Sequence, residues 1–440
     1  MNSLTKESQS AVSQLKGPIL IIGASGFVGA NLFNYINNVR SDVIASIRTE
    51  KGWRLESVSE DQVCKIDIND AASIESAMNH IKPKTIYNCS AFGAYSFEDQ
   101  QHKIYQTNLD GTIKLINVLR NHNIHSFIHA GSSSEYGLNS HAPTEEMACM
   151  PDSDYSISKL AASNYINLVG KKNGFPGISL RLYSVYGPLE DSSRLIPTLI
   201  KKGLKKSYPR FVNKNISRDF IYVQDVCNAF VMAALNINPS IYGEIFNIGS
   251  GEKTTIENLA YVAKNTFDII EDPQFGSLEN RKWDLSNWFS NPSKAKDILG
   301  WEAKTSIQTG LNKTVEWTKD FPISQKTITS KKITAKNNKS ISAIIACYKD
   351  ESAIPIMYEE LSLVFKKIKV DYEIIFVNDC SPDNSRNVIQ EISKNDHKVL
   401  GVNHSRNFGS QIAFISGMVI ASKDAVVLLD GDLQDPPFLI

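Results

Sequence analysis

The first two thirds of the chain alternate short apolar runs with segments of helical spacing. The apolar runs are rich in β-branched residues and are bounded by turn residues: PILII, DVIAS, TIYNCS, SFIHA and GISLRLYSV. Helical spacing occupies residues 70–80 and 105–121. Because runs that are apolar on both faces fit a parallel sheet covered by helices on both sides, the pattern predicts a Rossmann-type doubly wound α/β domain over residues 18–320. Beyond Gly187 the pattern becomes irregular, which predicts a smaller substrate lobe.

A second α/β pattern begins at Ile341, after a segment of different composition. Residues 321–340 contain five lysines and no acidic residue, which is typical of a solvated linker. Residues 341–440 then repeat the alternation, with SAIIACY, YEIIFVND, VLGVNHS and AVVLLDGD as predicted strands. Residues 1–17 are polar and have no apolar core, so we expect a flexible leader there and not a secretory signal.

The composition narrows the classes of function. Hydrophobic residues make up 42% and charged residues 21% of the 440 positions, which excludes wholesale disorder. The 47 basic residues are balanced by 47 acidic ones, so we expect no nucleic-acid partner. No run of 18 apolar residues is present and the six cysteines form no CxxC pair, so we expect a cytoplasmic protein without disulfides.

A glycine-rich turn follows the first apolar run. Gly23, Gly26 and Gly29 stand in GASGFVG, between PILII and a segment of helical spacing. Such a turn permits tight backbone geometry, close approach of a dinucleotide pyrophosphate, and close packing of the helix on the strand. A purely structural glycine turn is the less favoured interpretation, because the three glycines directly follow an apolar run.

The end of the next predicted strand bears on which nicotinamide cofactor is bound. An acidic residue there would bind the ribose 2′-hydroxyl of NAD, but DVIASIRTEK offers Ser46 and then Arg48. A hydroxyl and a guanidinium suit a 2′-phosphate, so the sequence favours NADP, with NAD as the alternative and with Arg48 as a plain surface residue in that case. Asp67 in KIDIND is a candidate either for adenine contact or for the cap of the following helix.

A tyrosine and a lysine four residues apart are candidates for acid–base chemistry. Tyr155 and Lys159 in YSISK share one face of a helix, which places the ammonium beside the phenol. A nearby cation lowers the pKa of a tyrosine and makes the phenolate available near neutral pH. Upstream, SFIHAGSSSEYG places a hydroxyl cluster at the end of a predicted strand, where ligands of doubly wound sheets bind.

Six motifs occur in the order found in one known family. They are GASGFVG, NLDGT, GSSSEYG, YSISK, RLYSVYGP and SRDFIYVQDV. On these motifs residues 18–320 resemble the extended short-chain dehydrogenases/reductases, the family of nucleotide-sugar epimerases, dehydratases and reductases. The resemblance implies a nucleotide-sugar substrate, and a homodimer formed through this domain is a further expectation.

The resemblance also implies roles for individual residues. Tyr155 would be the acid–base, and Lys159 would bind the nicotinamide ribose and tune Tyr155. Ser132 would hold the hydroxyl or keto oxygen of the sugar, and Ser133 would line the substrate site. Arg218 in SRDFIYV would bind the nucleotide diphosphate.

Two departures from the family pattern narrow the expected activity. The 4,6-dehydratases carry an acid two or three residues before the tyrosine of YG, but Ser133 and Ser134 occupy these positions and Glu135 comes one residue too late. Since expulsion of the C6 hydroxyl needs a general acid, dehydratase activity is disfavoured. Ser184 stands where the family often has asparagine, in the expected substrate site. A 4-keto reductase or a 4-epimerase is the leading interpretation, and a non-catalytic sugar-nucleotide binding module is the alternative.

The C-terminal segment resembles the family 2 glycosyltransferases, especially those with polyprenyl-phosphate acceptors. The motifs are SAIIACYKDESAIP, YEIIFVNDCSPDNS, NHSRNFGSQIAFISGM and VVLLDGDLQDPP. Asp430 and Asp432 form a DXD after an apolar run, where two carboxylates can hold Mg²⁺ or Mn²⁺ against a diphosphate. Asp379 ends an earlier predicted strand and is a candidate for recognition of the donor nucleotide.

The resemblance sets further expectations for this segment. Its family needs more residues for acceptor binding than follow the DXD, so we expect an incomplete GT-A-type domain within a longer bifunctional protein. Both parts would serve cell-surface polysaccharide assembly, and a full-length form would associate with the inner membrane.

Overall fold

The chain forms two units, Met1–Thr327 and Ile328–Ile440. The computed structural model describes residues 4–94, 100–278, 284–320, 340–368, 370–431 and 437. Each unit is built on a parallel sheet with helices on both faces. Among the helices of these ranges, none combines the length and the apolar character that a bilayer-spanning helix requires.

The first unit starts with a helix that the sequence did not predict. Helix α1 (Lys6–Ser13) begins after Thr5, whose hydroxyl accepts a hydrogen bond from Ser8 N at 3.1 Å. Val12 and Leu15 are buried in the main hydrophobic core of the unit. The expectation of a flexible leader over residues 1–17 is therefore wrong for this segment, because two apolar residues three positions apart anchor it.

The first half of this unit supplies five strands of one sheet. In chain order its elements are β1 (Ile19–Ile22), α2 (Phe27–Asn37), β2 (Val43–Ile47), β3 (Val63–Lys65), α3 (Ala71–Ile81), β4 (Thr85–Asn88), α4 (Gln101–Tyr105), a π-helical turn (Gln106–Asp110), α5 (Gly111–Leu119) and β5 (Ser126–Ser132). All four predicted apolar runs in this stretch form strands, as the sequence indicated.

The second half supplies the remaining strands and several short pairs. Its elements are a 3-10 turn (Ser133–Tyr136), α6 (Asp154–Asn173), β6 (Gly177–Leu182), β7 (Ser184–Tyr186), α7 (Leu195–Gly203), β8 (Ser217–Arg218), β9 (Phe220–Tyr222), α8 (Val223–Asn236), β10 (Ile245–Ile248), β11 (Thr254–Thr255), α9 (Ile256–Phe267), α10 (Ser293–Leu299) and α11 (Ile307–Asp320). β7 pairs with β9, and β8 pairs with β11.

The central sheet has seven parallel strands in the order β10-β6-β5-β4-β1-β2-β3. Its strand order reverses between β1 and β4, which makes it the doubly wound sheet predicted from the sequence. Ile19 and Ile21 of β1 enter one hydrophobic core, and Leu20 and Ile22 enter the other. The switch point between β1 and β4 is where such sheets bind ligands, at the carboxyl ends of the strands.

A third hydrophobic core lies within the region where the sequence predicts a second lobe. It joins α7, α9 and α11 through Leu199, Leu259 and Leu311, among others. These residues are apart from the two cores that cover the seven-stranded sheet.

The second unit contains β12 (Ser340–Cys347), α12 (Ala353–Ile368), β13 (Asp371–Asn378), α13 (Ser385–Asn395), β14 (Val399–Asn403), α14 (Ser410–Ile420) and β15 (Ala425–Asp430). Its four strands are parallel, in the order β14-β13-β12-β15. All four predicted strands are present. Residues 321–339 of the expected linker lie outside the described residues, and Ser340 already begins β12.

Candidate active site

The glycine turn joins β1 to α2 at the switch point of the first sheet. Gly23 has a φ of 77°, and a Cβ on it would lie 2.6 Å from Ser90 N, just beyond β4. A Cβ on Gly29 would lie 2.4 Å from Gly23 O, so α2 packs this closely on the turn only with glycine there. Gly26 is the N-cap of α2 and has no side chain to cap it, so the amides of the first turn can bind an anion.

The residues expected to select the cofactor follow β2. Ser46 is buried, and its hydroxyl accepts a hydrogen bond from Gly23 N at 3.3 Å, so it fixes the glycine turn. Arg48 is exposed, one residue beyond the end of β2. A second guanidinium, which sequence reasoning missed, reaches the same turn: Arg54 Nη1 lies 3.4 Å from Ser25 O. The structure thus separates the two residues, with Ser46 inside and Arg48 at the surface.

Asp67 lies between β3 and α3, where two roles were open to it. Its Oδ1 accepts a hydrogen bond from Asn69 N at 2.9 Å. The N-cap of α3 is instead Asp70, whose carboxylate accepts from Ala72 N at 3.0 Å. The helix-capping alternative for Asp67 is therefore wrong, and adenine contact stays a prediction.

Tyr155 and Lys159 lie in the first two turns of α6. The helix starts at Ser153, whose side chain caps its first turn. Tyr155 is half-buried, and a Cβ on Gly93 would lie 3.5 Å from its ring, so the loop after β4 runs beside it. Lys159 is buried one turn further along. The spacing of four residues puts both side chains on the helix face that packs toward β5.

Lys159 meets a partner that sequence reasoning missed. Its Nζ lies 3.2 Å from Nε2 of His129, a buried residue of β5. Burial lowers the pKa of Lys159 to about 8. Burial also holds the pKa of His129 well below its usual value, and the charge of Lys159 adds to that effect. A lone histidine in an apolar run gave no sequence signal for this contact.

The hydroxyl cluster stands at the carboxyl end of β5. Ser132 ends the strand, and its Oγ lies 2.8 Å from Ser134 Oγ and accepts a hydrogen bond from Ser134 N at 3.2 Å. Ser133 is buried, and its hydroxyl accepts from the indole Nε1–H of Trp288 at 3.3 Å. The cluster is thus held between the 3-10 turn and the loop that carries Trp288.

Glu135 is fully buried behind this cluster. Its Oε2 accepts a hydrogen bond from Arg181 Nε at 2.8 Å, across to β6. Its Oε1 accepts from Ser132 N at 2.8 Å and from Ser163 Oγ at 3.2 Å. The carboxylate therefore connects β5, β6 and α6, and each of these hydrogen bonds is made to another residue of the protein.

Arg218 and Ser184 lie on the short strands beside the main sheet. Arg218 Nη2 donates to Asp284 Oδ1 at 2.6 Å, and the guanidinium lies over the Trp288 ring, 5.1 Å from its centre. A diphosphate at this guanidinium would share it with the Asp284 carboxylate. Ser184 begins β7, and its backbone N–H donates to Asp219 O at 2.9 Å.

Asp219 is a buried acid for which the sequence gave no role. Its Oδ1 accepts hydrogen bonds from Ser250 N at 2.7 Å and Ser250 Oγ at 2.6 Å. Its Oδ2 accepts from Gly251 N at 3.0 Å, Ser290 N at 3.0 Å and Ser290 Oγ at 2.5 Å. This carboxylate fixes the loop after β10 and the loop that carries Trp288 next to Arg218.

The DXD of the second unit lies at the carboxyl end of β15. Asp430 is exposed and pairs in register with Ala346 of β12, while Asp432 lies outside the described residues. In the described part of the chain, no three His, Cys, Asp or Glu side chains come together as metal ligands. A Mg²⁺ or Mn²⁺ site at this motif therefore stays a prediction.

Asp379, the expected donor-nucleotide residue, is engaged by the protein. Its carboxylate accepts hydrogen bonds from Phe408 N at 2.9 Å and Gly409 N at 2.7 Å, and lies 2.7 Å from His404 Nδ1. Although burial opposes it, these hydrogen bonds lower the pKa of Asp379. His404 Nε2 in turn lies 2.8 Å from Ser416 Oγ on α14. A nucleotide contact to Asp379 would have to compete with these donors.

Two families of known proteins match the two parts of the chain. The model described as "NAD dependent epimerase/dehydratase family" matches residues 19–249. The model described as "Glycosyl transferase family 2" matches residues 342–440.

Individual relatives extend over the first unit. The chain is 26% identical over 310 residues to UDP-glucose 4-epimerase of Mycolicibacterium smegmatis, covering 68% of this chain and 97% of the relative. It is 27% identical over 341 residues to dTDP-glucose 4,6-dehydratase of Haemophilus influenzae, covering 68% of this chain and 97% of that relative. The crystal structure of Thermus thermophilus UDP-glucose 4-epimerase in complex with NAD matches with a TM-score of 0.58 and 23% identity, covering 68% of this chain and 97% of that one. The last comparison shows likeness of fold.

Proposed function

Because this chain belongs to the NAD dependent epimerase/dehydratase family, we propose that its first unit acts on C4 of a nucleotide sugar as a 4-epimerase. One observation carries the proposal: Tyr155 lies one helical turn before the buried Lys159, on the helix that packs against the strand ending in Ser132. The similarity to the M. smegmatis UDP-glucose 4-epimerase supports a UDP-sugar as substrate.

The first unit offers a fitting site for a nicotinamide dinucleotide. The left-handed backbone at Gly23 and the N-cap Gly26 leave the start of α2 open to a pyrophosphate, whose charge the helix dipole stabilises. We assign Gly23, Gly26 and Gly29 to the pyrophosphate, Lys159 to the nicotinamide ribose, and Asp67 to the adenine end. The bound nicotinamide supplies a hydride acceptor that becomes a hydride donor.

The side chains around the sugar supply proton transfer and positioning. Tyr155 Oη takes the proton of the C4 hydroxyl while the hydride leaves the same carbon, and it returns the proton when the hydride comes back. Ser132 Oγ donates a hydrogen bond to the C4 oxygen as it becomes a carbonyl oxygen. Lys159, as an ammonium, stabilises the Tyr155 phenolate. Inversion follows when the 4-keto sugar presents its other face before the hydride returns.

The nucleotide part of the substrate has its own candidate residues. We assign Arg218 to the diphosphate, because a guanidinium binds two phosphate oxygens at once. The carboxylate of Asp284 and the ring of Trp288 hold this guanidinium in place before substrate arrives. Ser133 and Ser184 line the same site in this proposal.

A 4-keto reductase that uses NADP is the second candidate, and Arg48 favours it. β2 is followed by an exposed arginine where an NAD-specific site places an acid. A reductase consumes NADPH and exchanges it, whereas an epimerase keeps its NAD. Ser46 is buried and its hydroxyl accepts a hydrogen bond from Gly23 N, so it fixes the glycine turn whichever cofactor is bound.

A 4,6-dehydratase has less support, despite the similarity to the H. influenzae enzyme. Ser133 and Ser134 are poor proton donors at the positions where a general acid is needed. Glu135 is buried in its ion pair with Arg181, 2.8 Å away.

The nucleotide that the purified 440-residue chain carries distinguishes these activities. Heat or acid releases it for identification by chromatography. Bound NAD, with interconversion of C4 epimers and no net use of cofactor, supports the 4-epimerase. A chain that is empty until NADPH is added, and that consumes one NADPH per product, supports the reductase. A chain that binds nucleotide sugar but neither cofactor is a binding module, and both enzyme proposals fail.

For the second unit we propose binding of a nucleotide-sugar donor through Asp430, Asp432 and Mg²⁺ or Mn²⁺. The family match and the exposed Asp430 at the carboxyl end of a parallel strand support it. Transfer to a polyprenyl phosphate, in cell-surface polysaccharide assembly, is part of this proposal. The Mn²⁺-dependent share of UDP-glucose binding by the full chain should disappear in Asp430→Asn and persist in Arg218→Ala. The opposite pattern would contradict the assignment.

A further inference from the structure

A row of buried polar side chains reaches Lys159 from within the sheet. Asn88 ends β4, His129 lies in β5, and Lys159 lies on α6. Asn88 Nδ2 is 3.1 Å from His129 Nδ1, and His129 Nε2 is 3.2 Å from Lys159 Nζ. The exposed fractions of the three residues are 0%, 0% and 1%. Because buried polar groups need matched partners, the protons along this row depend on one another.

The amide of Asn88 determines the first proton. Its Oδ1 accepts hydrogen bonds from Ser90 N at 3.2 Å and from Ser90 Oγ at 2.6 Å. Since a backbone N–H can only donate, the amide oxygen must face Ser90 and the amide nitrogen must face His129. Nδ2 of Asn88 also can only donate, so Nδ1 of His129 is the unprotonated, accepting nitrogen.

The proton of neutral His129 is therefore on Nε2, toward Lys159. An N–H at this distance makes a hydrogen bond only with a nitrogen that has a lone pair, which Nζ has as an amine and lacks as an ammonium. A doubly protonated His129 is disfavoured for the same reason, since its Nδ1–H would face the N–H of Asn88. The row is satisfied in one state only, with a neutral imidazole and a neutral lysine amine.

We propose that Asn88 and His129 are positioning residues that favour the neutral amine of Lys159 over its ammonium in the cofactor-free protein. The inference rests on the proposed function in one respect: Lys159 must gain a proton before it can stabilise the Tyr155 phenolate as a cation. At a pH above the Lys159 midpoint, filling of the cofactor site is then coupled to proton uptake by the protein.

The charged groups around Lys159 are consistent with this state. Burial lowers the pKa of Lys159 to about 8, although Glu135 and Cys89 act in the opposite direction. The charge of Glu135 is itself offset by Arg181, at 2.8 Å. Tyr155 is one turn away on the same helix. Polar contacts to this part of α6 also come from Asn108 of the π-helical turn to Ser158, and from Gln101 and Tyr105 of α4 to Asp154.

The direct test is the titration of Lys159 in the full chain without cofactor. Carbon-13 NMR of lysine labelled at Cε separates amine from ammonium, and Lys159→Arg assigns the signal by its loss. We expect Lys159 to titrate near pH 8, while exposed lysines titrate near 10.4. A Lys159 midpoint at the value of the exposed lysines would overturn the proposal, and this result needs no other variant.

Two variants separate proton control from mere packing. His129→Phe keeps a planar ring and removes the N–H. Asn88→Asp reverses the direction of both hydrogen bonds of His129. The carboxylate of the variant accepts from His129 Nδ1–H, and His129 Nε2 is then free to accept from the ammonium of Lys159. Each should raise the Lys159 midpoint by about one pH unit or more, a tenfold change in the ratio of ammonium to amine. His125→Phe, a half-buried control just before β5, should leave the midpoint unchanged. Unchanged midpoints in both folded variants would reduce His129 to a packing residue.

Proton uptake on NAD binding completes the test. Calorimetry at pH 9 in buffers of different ionisation enthalpy should show uptake approaching one proton for the wild type and less for Asn88→Asp. Failure of NAD to bind would refute the proposed function and leave the lysine titration standing. An ordinary titration of Lys159 with normal NAD binding would refute the inference alone.

Discussion

Glu135 Oε2 lies 2.8 Å from Arg181 Nε, and both side chains are buried. The other carboxylate oxygen accepts a hydrogen bond from Ser132 N at 2.8 Å. The acid nearest to the hydroxyl cluster is therefore part of the support for Ser132, and its proton-binding oxygens are engaged within the protein. This engagement supports the proposal that Glu135 does not serve as the general acid of a dehydratase.

Glu135→Gln should lower the free energy of unfolding of the first unit by about 3–5 kcal/mol, because it leaves the Arg181 charge buried without its partner. All five tryptophans lie in the first unit, so tryptophan fluorescence during urea unfolding of the full chain reports this unit alone. Glu146→Gln is the control: its exposed carboxylate lies 3.4 Å from Lys294, which keeps its closer partner Glu244, so the change in stability should be less than about 0.5 kcal/mol. Equal stability of Glu135→Gln and wild type would contradict this role.

Helix α1 should contribute to the stability of the first unit. Val12 has an exposed fraction of 0%, so Val12→Ala should lower the free energy of unfolding by roughly 1–3 kcal/mol through lost core packing. The same fluorescence experiment measures the change. Ser13→Ala, at the exposed neighbouring position, should have little effect. Two indistinguishable variants would restore the interpretation of residues 1–17 as a leader without a structural role.

Arg218→Ala should raise the KM for the nucleotide sugar and leave kcat nearly unchanged, because a diphosphate contact is made equally in the ground state and the transition state. Steady-state kinetics of the full chain measures both parameters. Lys214→Ala removes a more exposed cation of the same loop region as the control. A fall in kcat with constant KM would place Arg218 at the reacting carbon and not at the diphosphate.

Arg48→Ala should weaken the binding of NADPH relative to NADH. A charge-assisted hydrogen bond to a 2′-phosphate is worth about 1.5–3 kcal/mol, so the ratio of the two dissociation constants should shift roughly 10–150-fold. Lys65→Ala is the matched control, since Lys65 is exposed at the end of β3 and pairs in register with Ile47 of β2. A constant ratio would make Arg48 a surface residue and leave the NAD-dependent epimerase as the sole candidate.

Local patterns in the sequence were sufficient for the glycine turn and for five of the seven strands of the first sheet, but not for β3 and β10. Each apolar run that was named forms a strand, because short β-branched segments bounded by turn residues favour strands, and a parallel sheet buries them on both faces. One run was divided differently: GISLRLYSV forms β6 and β7, with a break at Tyr183 and a change of partner from β10 to β9. The sequence did not predict helix α1, because a mostly polar segment of eight residues shows little periodicity of apolar positions.

The residues that hold the candidate site residues in place could not be predicted, because their contacts join distant parts of the chain. Trp288 donates to Ser133 across 155 positions, and Ser290 donates to Asp219 across 71. In the sequence His129 is an ordinary residue of an apolar run. Only the packing of α6 on β5 shows that Lys159 contacts its ring. Motif spacing identifies side chains that share a helix or a turn, and it carries no information about these partners.

In the proposed function Tyr155 transfers the proton at C4 of a nucleotide sugar, and the rate of C4 epimerisation by Tyr155→Phe tests this role most directly. Proton NMR of UDP-glucose incubated with the NAD-loaded full chain follows the appearance of the C4 epimer. We expect the variant to lose at least about 10²–10⁴-fold in rate, with an unchanged dissociation constant for NAD, while Tyr165→Phe on the same helix keeps the wild-type rate. Epimerisation by Tyr155→Phe at the wild-type rate would contradict the account.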